Sequence, residues 1–412
     1  MNRDNASALA VGVAVVTLIA GFGFYFNNPA LNDKAPGGLA GTAAVTAGAG
    51  SSGNNTTTTA LIASSSSTAT KPHVDKSQFR QAPELAGISN YINSPQPFKL
   101  SDLKGKVVLV DFWTYSCINC IRTIPYLNAW YEKYADQGFV IVGVHSPEFD
   151  FEKDPANVQA AVEKFGIKYP VVQDNDHATW NAYQNRYWPH KYLIDDQGFI
   201  RYDHIGEGGY ADTEKVIQSL LQERRADLGQ NATAAINNST TSSTTVNPEG
   251  AQSVNFGMIN TPELYFGYNY ARSNLGNPEG FDPGKVVTYS LPDDKNNNND
   301  NDSIKPNAIY LSGDWLNAPD SMELKSHTGK IVLEYSAKSV NIVAGGTGKL
   351  QVSEDGHAVA AADRGADVNS DGTADISGQR LYNLVMHGGY GDHKIVIDVT
   401  GEGFKIYTFT FG

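Results

Sequence analysis

The chain has 412 residues, 41% of them hydrophobic, which at the usual ~100–200 residues per domain is enough for more than one core. Its formal net charge of −13 repels phosphate backbones and argues against a nucleic-acid partner. With 2 cysteines in the whole chain, both inside Ser116-Cys117-Ile118-Asn119-Cys120, there is no disulfide framework beyond this pair, so cysteine serves chemistry rather than stapling.

From Ala6 to Phe26 runs an uncharged stretch long enough, at ~1.5 Å per residue, to cross a hydrocarbon core of ~30 Å. It reads as one transmembrane helix, with a cleaved signal peptide as the alternative. Arg3 before it and Lys34 after it are too few charges to set its orientation. Residues 27–76 are dominated by Gly, Ala, Ser, Thr and Asn, cannot bury enough apolar area to offset their ordering entropy, and read as a flexible tether. Residues 229–252 form a second linker of this kind. Sequons at Asn54, Asn55, Asn231, Asn237 and Asn238 fit an exported, glycosylated surface or the chance yield of Asn/Thr-rich sequence.

Over 81–228 the pattern alternates between strand and helix. Val107 to Val110 is a β-branched run expected of a strand buried on both faces. Apolar positions Ile121, Ile124, Leu127, Tyr131 and Tyr134 mark one face of a helix within 118–137. Phe139 to Val144 is a second strand. Helices near 156–165 and 178–186, strands near 191–194 and 199–204, and a helix over 213–225 complete an α/β layer fold with a mixed central sheet. Beyond it, 261–412 shows short alternating runs between Gly-rich turns, interrupted by an exposed polar run at 293–302, and reads as a β-sandwich or jelly roll.

Cys117 and Cys120 sit where a buried strand gives way to a helix. The free N–H groups and dipole of a helix start favour an anion, so Cys117 is expected to be the attacking thiolate and Cys120, one turn further in, the resolving thiol. A zinc site would need two more ligands, and no second Cys pair or spaced His pair accompanies this one.

Val110-Asp111-Phe112-Trp113, then Cys117-Ile118-Asn119-Cys120 and Pro125, resemble the active-site segment of thioredoxins. The resemblance implies that Asp111 lies buried beneath the pair and relays the proton of Cys120; the other reading is a solvent-facing acid at a strand end. An Asp among valines otherwise costs several kcal/mol unless paired or protonated. Pro125 is expected to kink its helix. In Tyr187-Trp188-Pro189 the resemblance places the cis-proline that faces the disulfide and leaves the backbone of Trp188 free for a bound chain, while the Trp188 ring shields the dithiol or packs in the core.

The separation of Cys120 from Pro189 leaves room for an extra helix and strand at about 150–173, similar to the insertion of the TlpA and ResA class of exported, membrane-anchored reductases. Trp113 to Cys120, Gly143-Val144-His145-Ser146-Pro147-Glu148 and Asn185 to Pro189 resemble the C-terminal thioredoxin-like region of DipZ-type cytochrome c biogenesis proteins. That resemblance runs from about Pro83 to Gly412, since the region also carries an all-β module resembling carbohydrate-binding modules. The multi-span electron-conducting domain of those proteins is not among these residues, which implies a separate CcdA/DsbD-like membrane electron donor if the chain is a reductase. Glu148 is either a second acid near the site or a solvated loop residue, and Arg122 either tunes the thiolate or lies on an exposed helix face.

In the β domain, Asp367, Asn369, Asp371 and Asp375 alternate oxygen ligands around Gly372 and fit either a calcium loop outside the EF-hand type or a polar hairpin turn. Trp315, Tyr265 and Tyr268 suit either a sugar-stacking platform or core packing. The expectation is thus an extracytoplasmic, membrane-anchored thiol:disulfide oxidoreductase that reduces protein disulfides in cytochrome c maturation or disulfide quality control, its dithiol chemistry needing no cofactor. The alternatives are a peroxiredoxin-like thiol peroxidase, for which Thr114-Tyr115-Ser116-Cys117 has the Thr-x-x-Cys spacing, and a protein that binds cell-envelope glycan.

Overall fold

The computed structural model describes residues 74–229, 241, 254–272, 275–292 and 304–412. The expected span 6–26, nearly all of the tether 27–76, most of the linker 229–252, the sequons and the run 293–302 lie outside the described residues. Among the described helices none is long and apolar enough to cross a membrane.

The first sheet is built around β2 (Val107–Trp113), every residue of which is buried, as its apolar run requires. With β1 (Asn90–Ile92), β3 (Phe139–His145), β4 (Val171–Gln173), β5 (His190–Ile194) and β6 (Ile200–Ile205) it forms a mixed sheet in the order β1-β4-β3-β2-β5-β6. The β2–β3 and β3–β4 pairs are parallel; β2–β5, β5–β6 and β1–β4 are antiparallel.

Helix α1 (Ile118–Tyr134) presents Cys120, Ile124, Leu127, Trp130 and Tyr134 to one face of the sheet, at the spacing of a single helical stripe. It runs unbroken through Pro125. Helix α2 (Pro155–Lys164) starts where the Asp154 carboxylate accepts the Ala156 N–H at 2.8 Å, with Pro155 in the first turn. The short α3 (Ala178–Ala182) covers the opposite face through Trp180, and α4 (Tyr210–Asp227) packs Ile217, Leu220 and Leu221 beside α1. The helix expected to reach residue 186 stops early because Gln184 turns left-handed, at φ 57°.

The C-terminal region is all β, as expected. Strands β7 (Leu264–Tyr265), β8 (Val286–Tyr289), β9 (Tyr310–Asn317), β10 (Met322–Leu324), β11 (Thr328–Gly345), β12 (Thr347–Glu354), β13 (His357–Ala358), β14 (Thr373–Ser377), β15 (Arg380–Thr400) and β16 (Lys405–Phe411) join in one antiparallel sheet. Its main order is β13-β12-β15-β11-β16-β10-β9-β8. Inward residues such as Leu333, Ile342, Val352, Tyr382, Ile397 and Phe409 share one apolar core. The β11–β15 ladder is interrupted: Ala337 pairs with Gly391 and Ser339 with Met386, so the stretch His387-Gly388-Gly389-Tyr390 stands against Lys338 alone. The β domain meets the segment that follows β3 through aromatic side chains, with Tyr407 of β16 packed 5.2 Å from Phe149 and 4.7 Å from Phe151 between ring centroids.

Candidate active site

β2 ends at Trp113, and the turn 114–116 delivers Cys117 to the N-cap of α1 with an extended backbone, φ −77° and ψ 115°. Both cysteines are free thiols. The Cys120 N–H donates to Cys117 Sγ at 3.3 Å, so the sulfur takes the place that an N-cap oxygen usually holds. Cys117 is half-exposed and Cys120 buried, 1% exposed. Burial, reinforced by the neighbouring Cys117, pushes the Cys120 thiol well above its ordinary range. The pair therefore offers one accessible sulfur and one sheltered, protonated sulfur.

Asp111 is buried, not a solvent-facing strand end. It stands in register with Gly143 of β3 and Lys191 of β5. Burial raises its carboxyl to about 7, with Lys191 pulling the other way. Its Oδ1 has no hydrogen-bond partner among the described residues. Lys191 is also buried; burial lowers its ammonium while Asp111 and Cys120 favour the charge, and Nζ donates to the Gly206 carbonyl at 2.8 Å.

The turn before Cys117 is tied down from the insertion. Ser116 Oγ donates to Glu152 Oε1 at 2.6 Å, and the other Glu152 oxygen accepts the N–H groups of Glu148 and Phe149 at 2.6 and 3.0 Å. Thr114 Oγ1 faces His145 Nε2 at 3.4 Å. His145 is wholly buried, its imidazole held neutral by a drop to about 3, with the Tyr115 ring stacked on it at 5.7 Å and the Trp113 ring edge-on at 5.2 Å.

Arg122 does not take the exposed place on its helix. It is 5% exposed, not on an open helix face, and its guanidinium lies 3.5 Å from Glu207 Oε2 and 3.4 Å from Asn119 Oδ1. The β domain helps close it in: a Cβ on Gly412 would lie 2.1 Å from Arg122 Nη2.

The Trp188–Pro189 peptide bond is cis. Trp188 is half-buried in the same apolar cluster as both cysteines, with Nε1 donating to the Ser146 carbonyl at 2.9 Å and its ring 4.2 Å from that of Trp180. Glu148 is not a solvated loop residue. Tyr265 of the β domain donates to its Oε1 at 2.7 Å and Tyr270 to its carbonyl at 2.9 Å, and burial beside Glu263 and Glu152 lifts its carboxyl to about 8.

In the β domain, Asp367 pairs with Arg380 at 2.8 Å and accepts the Asn383 N–H at 2.7 Å. Asn369 donates to Asp375 at 3.2 Å, and Asp371 accepts the Thr373 N–H and hydroxyl at 3.0 and 2.7 Å. Of the four, only Asn369 and Asp375 bond each other, and the acceptors of Asp367 and Asp371 are engaged by neighbouring residues. Trp315 is fully buried and Tyr265 is committed to Glu148, so neither offers a ring face to solvent; Tyr268 is half-buried.

Sequence reasoning missed Glu152, His145, Lys191 and Glu207. Lys191 carried a signal, a charge at the head of an apolar strand. The others depend on long-range contacts that spacing does not encode.

Comparison with known proteins agrees with this geometry. Residues 80–203 match the AhpC/TSA family and residues 261–412 the family described as Thioredoxin like C-terminal domain. The chain is similar to Protein DipZ of Mycobacterium tuberculosis, 36% identical over 333 residues, which is 80% of this chain and 43% of that protein. It therefore spans less than half the length of that relative. It is 31% identical to Thiol-disulfide oxidoreductase YkuV of Bacillus subtilis over 141 residues, 34% of this chain and 94% of YkuV. It is 33% identical to Thiol-disulfide oxidoreductase ResA of Geobacillus kaustophilus over 122 residues, 30% of this chain and 67% of ResA. With near-complete coverage of YkuV added to a free Cys-x-x-Cys pair at a helix N-cap, the chain belongs to the thioredoxin-like thiol-disulfide oxidoreductases.

Proposed function

We propose that this protein reduces disulfides of other proteins outside the cytoplasm, anchored by residues 6–26, with Cys117 as nucleophile and Cys120 as resolving thiol. The observation that carries the reading is the half-exposed Cys117 sulfur, which accepts the amide hydrogen bond of a buried Cys120 lying near Asp111. The Cys117 thiolate attacks one sulfur of the substrate disulfide, that bond breaks, and the first substrate thiolate leaves. Asp111 takes the Cys120 proton, the Cys120 sulfur attacks Cys117, and the second substrate thiolate departs. Two electrons have passed to the substrate and the chain holds a Cys117–Cys120 disulfide. A carboxyl near 7 is matched to accepting that proton at neutral pH.

Trp188, Pro189 and Glu148 frame the site, with Trp188 and Pro189 meeting the substrate backbone. A CcdA/DsbD-like membrane donor returns the electrons, and the dithiol step draws on no cofactor. A place in cytochrome c maturation or disulfide quality control follows from the resemblance of the active-site segments to DipZ-type cytochrome c biogenesis proteins. The peroxidase alternative is not adopted, because the Thr114 hydroxyl faces His145.

The test is thiol trapping on a disulfide-bonded protein substrate. Cys120→Ser should accumulate a mixed disulfide through Cys117, and Cys117→Ser should lose turnover to the buffer rate. Full turnover by Cys117→Ser, with no adduct on Cys120→Ser, sinks the proposal.

A further inference from the structure

Far along the chain from the dithiol, β15 carries the interruption described above. The extra residues His387 to Tyr390 fold the strand so that the His387 ring lies flat against that of His393, centroids 4.3 Å apart and planes at 19°. Glu354, at the end of β12, faces them from the neighbouring strand: its Oε2 is 3.0 Å from His387 Nε2. One ligand atom from each of Glu354, His387 and His393 can be chosen so that all lie within 4.8 Å of one another.

We propose that Glu354, His387 and His393 hold a divalent transition-metal ion of the zinc class. Two imidazoles and one carboxylate are donors such ions favour, whereas calcium prefers oxygen alone. With metal–ligand bonds of ~2.1 Å, tetrahedral ligand atoms stand about 3.4 Å apart, so closing the site asks for roughly an ångström of side-chain movement. The outward nitrogens already have the partners that metal-bound histidines use: His393 Nδ1 lies 2.9 Å from Asp355 and His387 Nδ1 3.4 Å from Asp363. Those contacts leave Nε2 of each ring for the ion. Ligation would replace the direct His387 Nε2–Glu354 Oε2 contact with a bond from each atom to the ion.

The surroundings fit a built site. Glu354 is only 8% exposed, and Tyr335 donates a short hydrogen bond to its Oε1, which holds Oε2 toward His387. Both histidines are half-buried, and a cavity of about 490 Å³ lined by Tyr335, Asp355, Asp392 and His393 gives an ion access. The interruption that carries His387 contains Gly388 and Gly389, both exposed and free of side chains that would cover the site. Bound there, an ion would clamp β15 to β12 and pin the irregular segment of the domain.

The experiment uses the full chain carrying Cys117→Ser and Cys120→Ser, so that the thiols take up no zinc, after treatment with a chelator. Zinc is titrated calorimetrically and cobalt(II) by its visible bands. One equivalent should bind per chain, with the bands of a four-coordinate ion, and zinc should raise the thermal midpoint. His387→Ala and His393→Ala should each weaken binding by at least about tenfold and abolish the zinc-dependent rise. Should His387→Ala fold poorly, His393→Gln at the more exposed end of the cluster makes the same comparison. Failure of the parent to bind an equivalent, or binding unchanged in the histidine variants, overturns the assignment.

Discussion

A carboxyl sealed beneath a thiol must stay protonated or find a cation, and Asp111, lifted to about 7 with Lys191 alongside, does part of each. Because its folded value lies above the ordinary 3.8, the folded state holds a proton that the unfolded chain has released between about pH 4 and 7. Stability from this group is full below pH 4 and falls as pH rises through 7. Asp111→Asn should therefore raise stability above pH 7, by on the order of 1–3 kcal/mol, and flatten the pH dependence in chemical denaturation. It should also slow resolution, seen as a longer-lived mixed disulfide. Asp111 could be singled out in the sequence because a charge among valines is anomalous there. Lys191 was missed, since which strand it lies beside is fixed only by the antiparallel β2–β5 register.

At the level of elements, the active-site turn is held by a side chain from the insertion rather than by its own sequence. Glu152, fully buried, receives the Ser116 hydroxyl and the Glu148 and Phe149 amides, so its removal would leave buried donors unpaired. Glu152→Ala is expected to cost about 2–4 kcal/mol in denaturant unfolding and to lower the exchange rate more than Glu148→Gln does. The strands and helices of this region were legible because their periods are strong. The end of α3 was not, since the left-handed Gln184 that closes it has no glycine to announce it. The insertion itself was readable from chain length; its bond to Ser116 was not.

Across the whole molecule, Tyr407 and Tyr265 carry the β domain onto the thioredoxin-like core. Tyr407→Ala should remove about 3–4 kcal/mol and split a single calorimetric transition into two. Glu148, raised to about 8 by burial, retains its proton in the folded state through neutral pH, so the stability it contributes is lost as pH climbs through 8. The thermal midpoint should fall over that range, and Glu148→Gln should lessen the fall, leaving the part that Asp111 contributes. Sequence pattern separated an α/β region from an all-β one but not this joint, because Tyr265, read as a sugar platform or a core residue, carried no sign of a partner in the other region.

The tandem of Trp180 and Trp188, with ring centroids 4.2 Å apart, has a spectroscopic corollary. Indoles this close share their electronic excitation. A polypeptide laid across Trp188 would change the near-ultraviolet circular dichroism couplet of the two rings, an optical record of docking that needs no label and no turnover.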